Sequence, residues 1–354
     1  MPLPRKLKFL LLTAALTCLA AAAQPATTIQ AQEARANLRE RVKERIKERL
    51  AERRDGRPPR EKAGETAAEN VVLEHNGVSR SYLIHLPSGY DATRAYPLVL
   101  AFHGGGGSSA IMANDTFYKW PSKADQEGFI VAFPNGASPF KGGKFATWNA
   151  GNCCAHARDS GSDDTGFVGE VIRDIRAKWN VDERRIYATG MSNGAMMSYR
   201  LACDMAGTFA AIAAVAGTDN YDQCRPSGPV SILHIHAKDD THVLYQGGAG
   251  KDAFKDASKV TDFTSVDETM RRWVERNGCP DAAEKTFENE GAYCARYSGC
   301  AGGRTVQLCV TENGGHSWPG GVKPRKKAAQ TTTAIDATDA IWEFFKEASS
   351  HAGN

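Results

Sequence analysis

From Val71 onward, short apolar runs alternate along the chain with segments whose apolar residues recur at helical spacing. "NVVLEHN" and "RSYLIHLP" alternate apolar and polar positions across a short Gly-containing turn, which predicts a β-hairpin. Six runs then read as buried strands: "PLVLAFHG", "FIVAFPN", "RRIYATG", "FAAIAAVAG", "VSILHIH" and "TVQLCVT". Among them, "TGFVGEVIRDIRAKWN", "NGAMMSYRLACD", "SVDETMRRWVERNG" and "TDAIWEFFKEASS" carry the apolar spacing of amphipathic helices. Such alternation predicts an α/β fold, a mostly parallel central sheet covered by helices on both faces, with ligands beyond the strand C-termini. One domain over residues 70–350 accommodates the pattern.

The N-terminal part is different. Residues 1–23 combine a basic start (Arg5, Lys6, Lys8), the apolar run "FLLLTAALTCLAAAA" and an Ala21-x-Ala23 cleavage site, the layout of a secretory signal. A membrane anchor needs roughly 20 apolar residues and a stop-transfer flank, whereas this run ends at Gln24. Cys18 follows "ALT" and lacks the residues expected before a lipidated cysteine. Residues 24–69 hold the repeat "LRER VKER IKER LAER", whose Leu38, Val42, Ile46 and Leu50 make a thin slanting stripe on a helix. A polar linker containing Pro and Gly follows. With 11 basic and 6 acidic residues between Glu33 and Arg60, this arm reads as a solvated spacer or as a contact for an anionic surface.

Export changes what the composition means. The whole chain has 44 basic and 41 acidic residues, and removing the signal's three bases leaves 41 against 41. A global argument for nucleic-acid binding disappears with that excess. Removing Cys18 leaves eight cysteines, Cys153, Cys154, Cys203, Cys224, Cys279, Cys294, Cys300 and Cys309, and an even number in an oxidising compartment predicts disulfides.

Three ordered motifs carry the candidate chemistry. Gly190-Met191-Ser192-Asn193-Gly194 matches G-x-S-x-G between an apolar strand and a helical run, where small flanking residues permit a sharp turn that lifts the Ser192 hydroxyl clear. Gly104 to Gly107 end an early strand, and with the Asn193 amide the Gly104 and Gly105 amides are candidates for an oxyanion hole. A phosphate loop is the competing reading, but neither G-x-G-x-x-G nor a G-K-[ST] ending is present. His316, in "CVTENGGHSWPGG", lies in a glycine-rich loop after the last strand. Serine, then aspartate, then histidine is the chain order of an α/β-hydrolase.

The acid belongs on the loop after a strand between Ser192 and His316, and "VSILHIH" followed by "AKDDTHV" supplies it. His234 and His236 share one face of that strand. With Asp239, Asp240 and His242 they raise a metal reading, which no zinc-type spacing supports. The expectation is no metal and no cofactor. Asp163 and Asp164 are alternative acids, but they precede Ser192 and suit the cap of a helix beginning near Thr165.

Together "TWNAGNCCAHARDSGSDDTGFV", "GMSNGAMMSYRLAC", "PVSILHIHAKDDTHVLYQGG" and "GGHSWPGG" resemble the secreted esterases that include poly(3-hydroxybutyrate) depolymerases, feruloyl esterases and acetylxylan esterases. The likeness spans about residues 72–346. In that family the strand leads into H-G-T-x-D-x-x-V-P-Y with the aspartate as triad acid. On this chain His236 opens the motif and Asp240 takes the acid position, while Val243 and Tyr245 stay in register. Ala237, Lys238 and Leu244 depart from it, which keeps Asp239 open as a rival.

The resemblance implies an α/β-hydrolase fold and a serine carboxylesterase using Ser192, His316 and Asp240. Its ester substrate would be a polyhydroxybutyrate-type polyester or its oligomers, with feruloyl or acetyl esters of plant cell-wall polysaccharide as the alternative. It also implies that "WNAGNCC" lies near the site, with Cys153 or Cys154 stapled to the element carrying Cys203 or Cys224. Apart from the resemblance, Cys279, Cys294, Cys300 and Cys309 are expected to pair among themselves, with Cys279 to Cys300 the first choice among the many pairings that eight cysteines allow. Trp148, Trp318 and Tyr245 are candidates to line the pocket, with packing in the core as the equal alternative. A reading of another class is a non-catalytic module that binds surfaces through its basic arm and has no need of Ser192.

Overall fold

Asn76 and Gly77 sit at φ 52° and 74°, the positive values that a two-residue type I′ hairpin turn demands. They join β1 (Glu69–His75) to β2 (Val78–His85), with Glu69 opposite Ile84 and His75 opposite Val78. The computed structural model describes residues 68–253, 261–322 and 331–350. The expected signal and nearly all of the expected arm, 24–69, lie outside the described residues.

The predicted buried runs form β3 (Tyr96–Phe102), β4 (Ile130–Pro134), β5 (Val181–Met191), β6 (Ala211–Val215), β7 (Ser231–Ala237) and β10 (Val306–Thr311). Two strands absent from the sequence reading, β8 (Glu284–Asn289) and β9 (Ala292–Tyr297), add a hairpin at one edge. The sheet order is β1-β2-β4-β3-β5-β6-β7-β10-β9-β8. Its centre, from β4 to β10, is parallel, and antiparallel strands close both ends. This is the doubly covered α/β arrangement the pattern predicted, with the β8–β9 hairpin as the addition.

β3 is buried along its whole length because both faces of the sheet are covered. Leu98, Leu100 and Phe102 enter one core and Val99 and Ala101 the other, as the two-residue period of a strand requires. On the first face lie α5 (Asp164–Lys178), α6 (Asn193–Asp204) and α7 (Val266–Arg276), contributing Phe167, Val171, Met197, Tyr199, Met270 and Trp273. On the second lie α3 (Trp120–Glu127) and α8 (Ala337–Ser350), with Trp120, Ile341, Trp342 and Phe345. Each such side chain contributes roughly 1.5–3 kcal/mol by leaving water. Three short helices, α1 (Ser109–Met112), α2 (Asp115–Tyr118) and α4 (Ala155–Asp159), shape the loops.

Of the two aspartates expected to cap α5, only Asp163 does so, accepting the Gly166 N–H at 2.9 Å. Asp164 is fully buried instead. It accepts from Arg80 at 2.7 Å and from the Asn149 N–H at 2.7 Å, so it ties the "WNAGN" loop to the hairpin.

The eight cysteines form four close pairs. Cys279 pairs with Cys300, as expected, and Cys294 pairs with Cys309 directly across the β9–β10 ladder. The expected staple from the "NCC" loop does not form. Cys153 and Cys154 pair with each other, and Cys203 at the end of α6 has Cys224 as its partner, 5.2 Å away between Cα atoms. The reason is proximity: the loop after β6 brings Cys224 back onto α6.

Candidate active site

Ser192 sits where β5 turns into α6, at φ 57° and ψ −122°. A non-glycine residue there is strained, and its N–H is held by the Val215 carbonyl at 2.8 Å. The two motif glycines make the turn possible. A Cβ on Gly194 would lie 2.2 Å from the Phe102 carbonyl oxygen, and one on Gly190 would lie 2.5 Å from the Gly194 backbone. Gly217 plays the same part from the loop after β6, because a Cβ there would lie 2.2 Å from the Ser192 carbonyl oxygen. No motif pointed to Gly217; its role follows from the β5–β6 pairing.

The glycine loop after β3 passes beside this turn, with the Cβ position of Gly104 3.4 Å from that of Ser192. The Gly106 N–H bonds the Ala146 carbonyl at 2.8 Å and the Gly107 N–H bonds the Gly104 carbonyl at 3.0 Å. His103 organises the loop from beneath. Its Nδ1 donates to the Gly104 carbonyl at 2.8 Å and its Nε2 accepts from the Gly136 N–H at 3.0 Å. Burial, with the Arg80 charge adding to it, holds this imidazole down at about 4, so it is neutral. Asn193 opens α6, and its side chain pairs with both backbone groups of Trp148, at 2.7 and 3.0 Å.

His316 and Asp240 come together on the loops after β10 and β7, with Nδ1 to Oδ2 at 2.8 Å. The other carboxylate oxygen of Asp240 accepts the N–H groups of His242, at 2.7 Å, and Val243, at 3.1 Å. Burial pushes this carboxyl up, but the His316 charge and the hydrogen bonds of His236 and His316 outweigh it and hold Asp240 far below the ordinary carboxylate range. Asp239 faces away and accepts the Gly315 N–H at 2.7 Å. Ser192, Asp240 and His316 thus all lie beyond the C-terminal ends of parallel strands. Among the described residues the Ser192 hydroxyl is not hydrogen-bonded to His316, a contact that is often loose before substrate binds.

His242 stacks on His316, with ring centroids 4.4 Å apart and planes inclined by 14°. Asp240, His242 and His316 offer donor atoms within 4.8 Å of one another. The stack argues against chelation, because imidazole lone pairs lie in the ring planes and two nearly parallel planes do not converge on one ion.

Of the two roles open to Trp148, Trp318 and Tyr245, lining the pocket or packing in the core, their burial fits the second. Trp148 is fully buried, its indole N–H donating to the His103 carbonyl at 2.9 Å and its ring set edge-on to Phe102. Trp318 donates to the Thr338 hydroxyl at 2.9 Å and packs against Tyr118 and Trp120. Tyr245 is 9% exposed, edge-on to His236, and its hydroxyl points to Asp267. Each buries a large apolar ring and keeps its polar N–H or O–H paired, as buried Trp and Tyr side chains usually do. Among the described residues the most exposed aromatic residues are Phe140 and Phe145, in contact edge to face. Their loop is anchored by the Gly107–Ala146 and Ala137–Thr147 bridges. Flanked by glycines and lysines, they gave no periodic signal in the sequence.

A strained serine between strand and helix, on a doubly covered parallel sheet, defines an α/β-hydrolase. Residues 80–234 match the family described as Esterase PHB depolymerase. The chain is 30% identical over 306 residues to NocK of Nocardia uniformis subsp. tsuyamanensis, designated an esterase, covering 80% of this chain and 84% of that one. It is 32% identical over 243 residues to feruloyl esterase B of Piromyces equi, covering 67% of this chain but only 42% of that longer protein. Feruloyl esterase C of Emericella nidulans is 26% identical over 285 residues, with 79% and 87% covered. In three dimensions the chain is similar to an acetyl xylan esterase from Aspergillus awamori, with a TM-score of 0.54 at 17% identity over 78% of this chain and 99% of that one. That likeness speaks to the fold. The chain belongs to the Esterase PHB depolymerase family of carboxylic ester hydrolases.

Proposed function

We propose that residues 70–350 form a serine carboxylesterase domain in which Ser192 attacks the ester carbonyl. His316 takes the serine proton and returns it to the leaving alcohol, and Asp240 holds the imidazole's tautomer and balances its charge. Water then repeats the sequence on the acyl-enzyme and releases the acid. The observation that carries this reading is the Asp240–His316 hydrogen bond at 2.8 Å, on loops that rise at the same strand ends as the Ser192 turn. The amides of Gly104, Gly105 and Asn193 would receive the tetrahedral oxyanion. The Gly106 and Gly107 amides are already occupied within the loop, and the N-terminus of α6 adds its dipole to the Asn193 amide.

For substrate, the names of the relatives put feruloyl or acetyl esters of plant polysaccharide first. A polyhydroxybutyrate-type polyester or its oligomers is the second reading, favoured by the exposed Phe140–Phe145 pair, which suits an apolar chain. Export by residues 1–23, and contact of the 24–69 arm with an anionic surface, belong to the same proposal. Ser192→Ala should abolish hydrolysis of short p-nitrophenyl esters, and retained activity would overturn the reading in favour of a non-catalytic module. Product analysis with methyl ferulate, acetylated xylan and hydroxybutyrate oligomers ranks the substrates. N-terminal sequencing of the exported protein tests the signal.

A further inference from the structure

We propose that Tyr199, His234 and His236 form a buried, one-directional hydrogen-bond relay that positions and polarises Asp240, making His236 a positioning residue for the acid. The inference rests on the esterase reading above. Its geometry is independent of that reading.

His234 and His236 point to the α6 and α7 face of β7, and both are almost wholly buried. Tyr199 on α6 lies 2.8 Å from His234 Nδ1, His234 Nε2 lies 3.1 Å from His236 Nδ1, and His236 Nε2 lies 2.9 Å from the Val243 carbonyl. The same Nε2 is 3.3 Å from Asp240 Oδ2, the oxygen that also accepts from His316.

Proton positions follow by elimination. A carbonyl and a carboxylate only accept, so His236 Nε2 carries hydrogen, and in the neutral imidazole its Nδ1 accepts. His234 Nε2 therefore donates, its Nδ1 accepts, and the Tyr199 hydroxyl donates to it. Every bond runs from Tyr199 towards Asp240. The other tautomer of His234 would set two acceptor nitrogens against each other across that 3.1 Å contact and so break the relay. It would also take away the acceptor of the Tyr199 hydroxyl proton, for which no other partner is present among the described residues. Burial first, then the neighbouring His236, holds His234 well below the usual histidine range, so His234 stays neutral.

Asp240 consequently has the His316 N–H on one oxygen, with the His236 Nε2–H, which bonds the Val243 carbonyl, 3.3 Å from that same oxygen, and two backbone donors on the other. This number of donors fixes the carboxylate and spreads its charge. The other polar and charged groups around the relay are Tyr245 against His236, with Asp267 on its hydroxyl; Asp219, with Arg276, near Tyr199; and Asp239 and His242 beside His316.

The test compares wild type with His236→Leu, His236→Gln and Tyr199→Phe on a soluble p-nitrophenyl ester across pH, with active sites counted by a phosphonate that labels Ser192. His236→Leu should lower kcat per active site about ten- to hundredfold, the size of one hydrogen bond to a charged group, with KM nearly unchanged. The acidic limb of kcat/KM should move to higher pH, because a carboxylate with one donor fewer stabilises the His316 imidazolium more strongly. Gln, whose amide nitrogen reaches the Nε2 position, should restore the limb. Tyr199→Phe should move it in the same direction by less, and serves alone if the leucine variant does not fold. An unmoved limb in both His236→Leu and Tyr199→Phe, with loss confined to the number of active sites, overturns the relay. Failure of the phosphonate to label Ser192 in wild type overturns the parent reading instead.

Discussion

Asp240 Oδ2 lies 2.8 Å from His316 Nδ1, while its neighbour Asp239 turns the other way and caps the Gly315 N–H. One residue of register in a loop therefore separates a carboxylate that can orient the histidine from one that shapes the histidine's loop. Asp240→Asn should lower kcat by roughly 10⁴, the cost of the wrong imidazole tautomer. Asp239→Asn should cost little, because an amide oxygen can still accept the Gly315 N–H. Steady-state kinetics on the two variants decides between them, and equal losses would refute the assignment.

The Ser192 turn depends on backbone contacts no side chain can share. Gly194→Ala places a carbon 2.2 Å from the Phe102 carbonyl, and Gly217→Ala places one equally close to the Ser192 carbonyl. Both lie far inside van der Waals contact, so each variant should either fold poorly or displace Ser192. Loss of Tm together with loss of phosphonate labelling is the expected result. A stable, fully labelled Gly217→Ala would show that the turn tolerates repacking.

Arg80 and Asp164 are a buried pair, with side chains 7% and 0% exposed. Removing one partner strands the other charge, so Asp164→Ala should cost about 3–5 kcal/mol in urea unfolding. Replacing both, as Arg80→Met with Asp164→Leu, should cost less than the single change. If the double variant is the less stable, the pair contributes more than its desolvation takes away.

His103 makes stability depend on pH in a stated direction. Its folded value is about 4, against roughly 6.5 when exposed. Between those values the unfolded chain binds the extra proton, so stability is intact above about 6.5 and declines as pH falls towards 4, by about 3 kcal/mol in all. Protonation would also remove the acceptor that holds the Gly136 N–H. Urea midpoints measured across this range should slope more steeply in wild type than in His103→Gln. Equal slopes would exclude the histidine as the source.

Phe140 and Phe145 are 58% and 65% exposed on the loop anchored to Gly107. Replacing both with alanine should raise KM about fivefold for esters with large apolar groups, the worth of a lost aromatic contact. Acetate esters should be unaffected. A uniform change across both substrates would mean that the pair stabilises the loop and does not meet substrate.

The order of elements, the serine turn, the glycine loop and the late histidine were legible in the sequence because each rests on local chemistry. Strand runs, glycine spacing and chain order survive without knowledge of distant contacts. Cys279–Cys300 was the first choice among the pairings open to the four late cysteines, and the structure agrees with it. The β8–β9 hairpin escaped because β8 is exposed along its whole length and so carries no apolar face to read.

Tertiary structure alone decided the rest. It turned Trp148, Trp318 and Tyr245 inward, exchanged the expected cysteine staple for Cys203–Cys224, and made Gly217 part of the Ser192 turn. It also separated Asp239 from Asp240 and joined His234 and His236 to Tyr199. The physical reason is common to all of these. A sequence determines periodicity and backbone permission within a few residues, whereas the direction of one side chain depends on which donors, acceptors and surfaces the packed sheet brings to it from elsewhere in the chain.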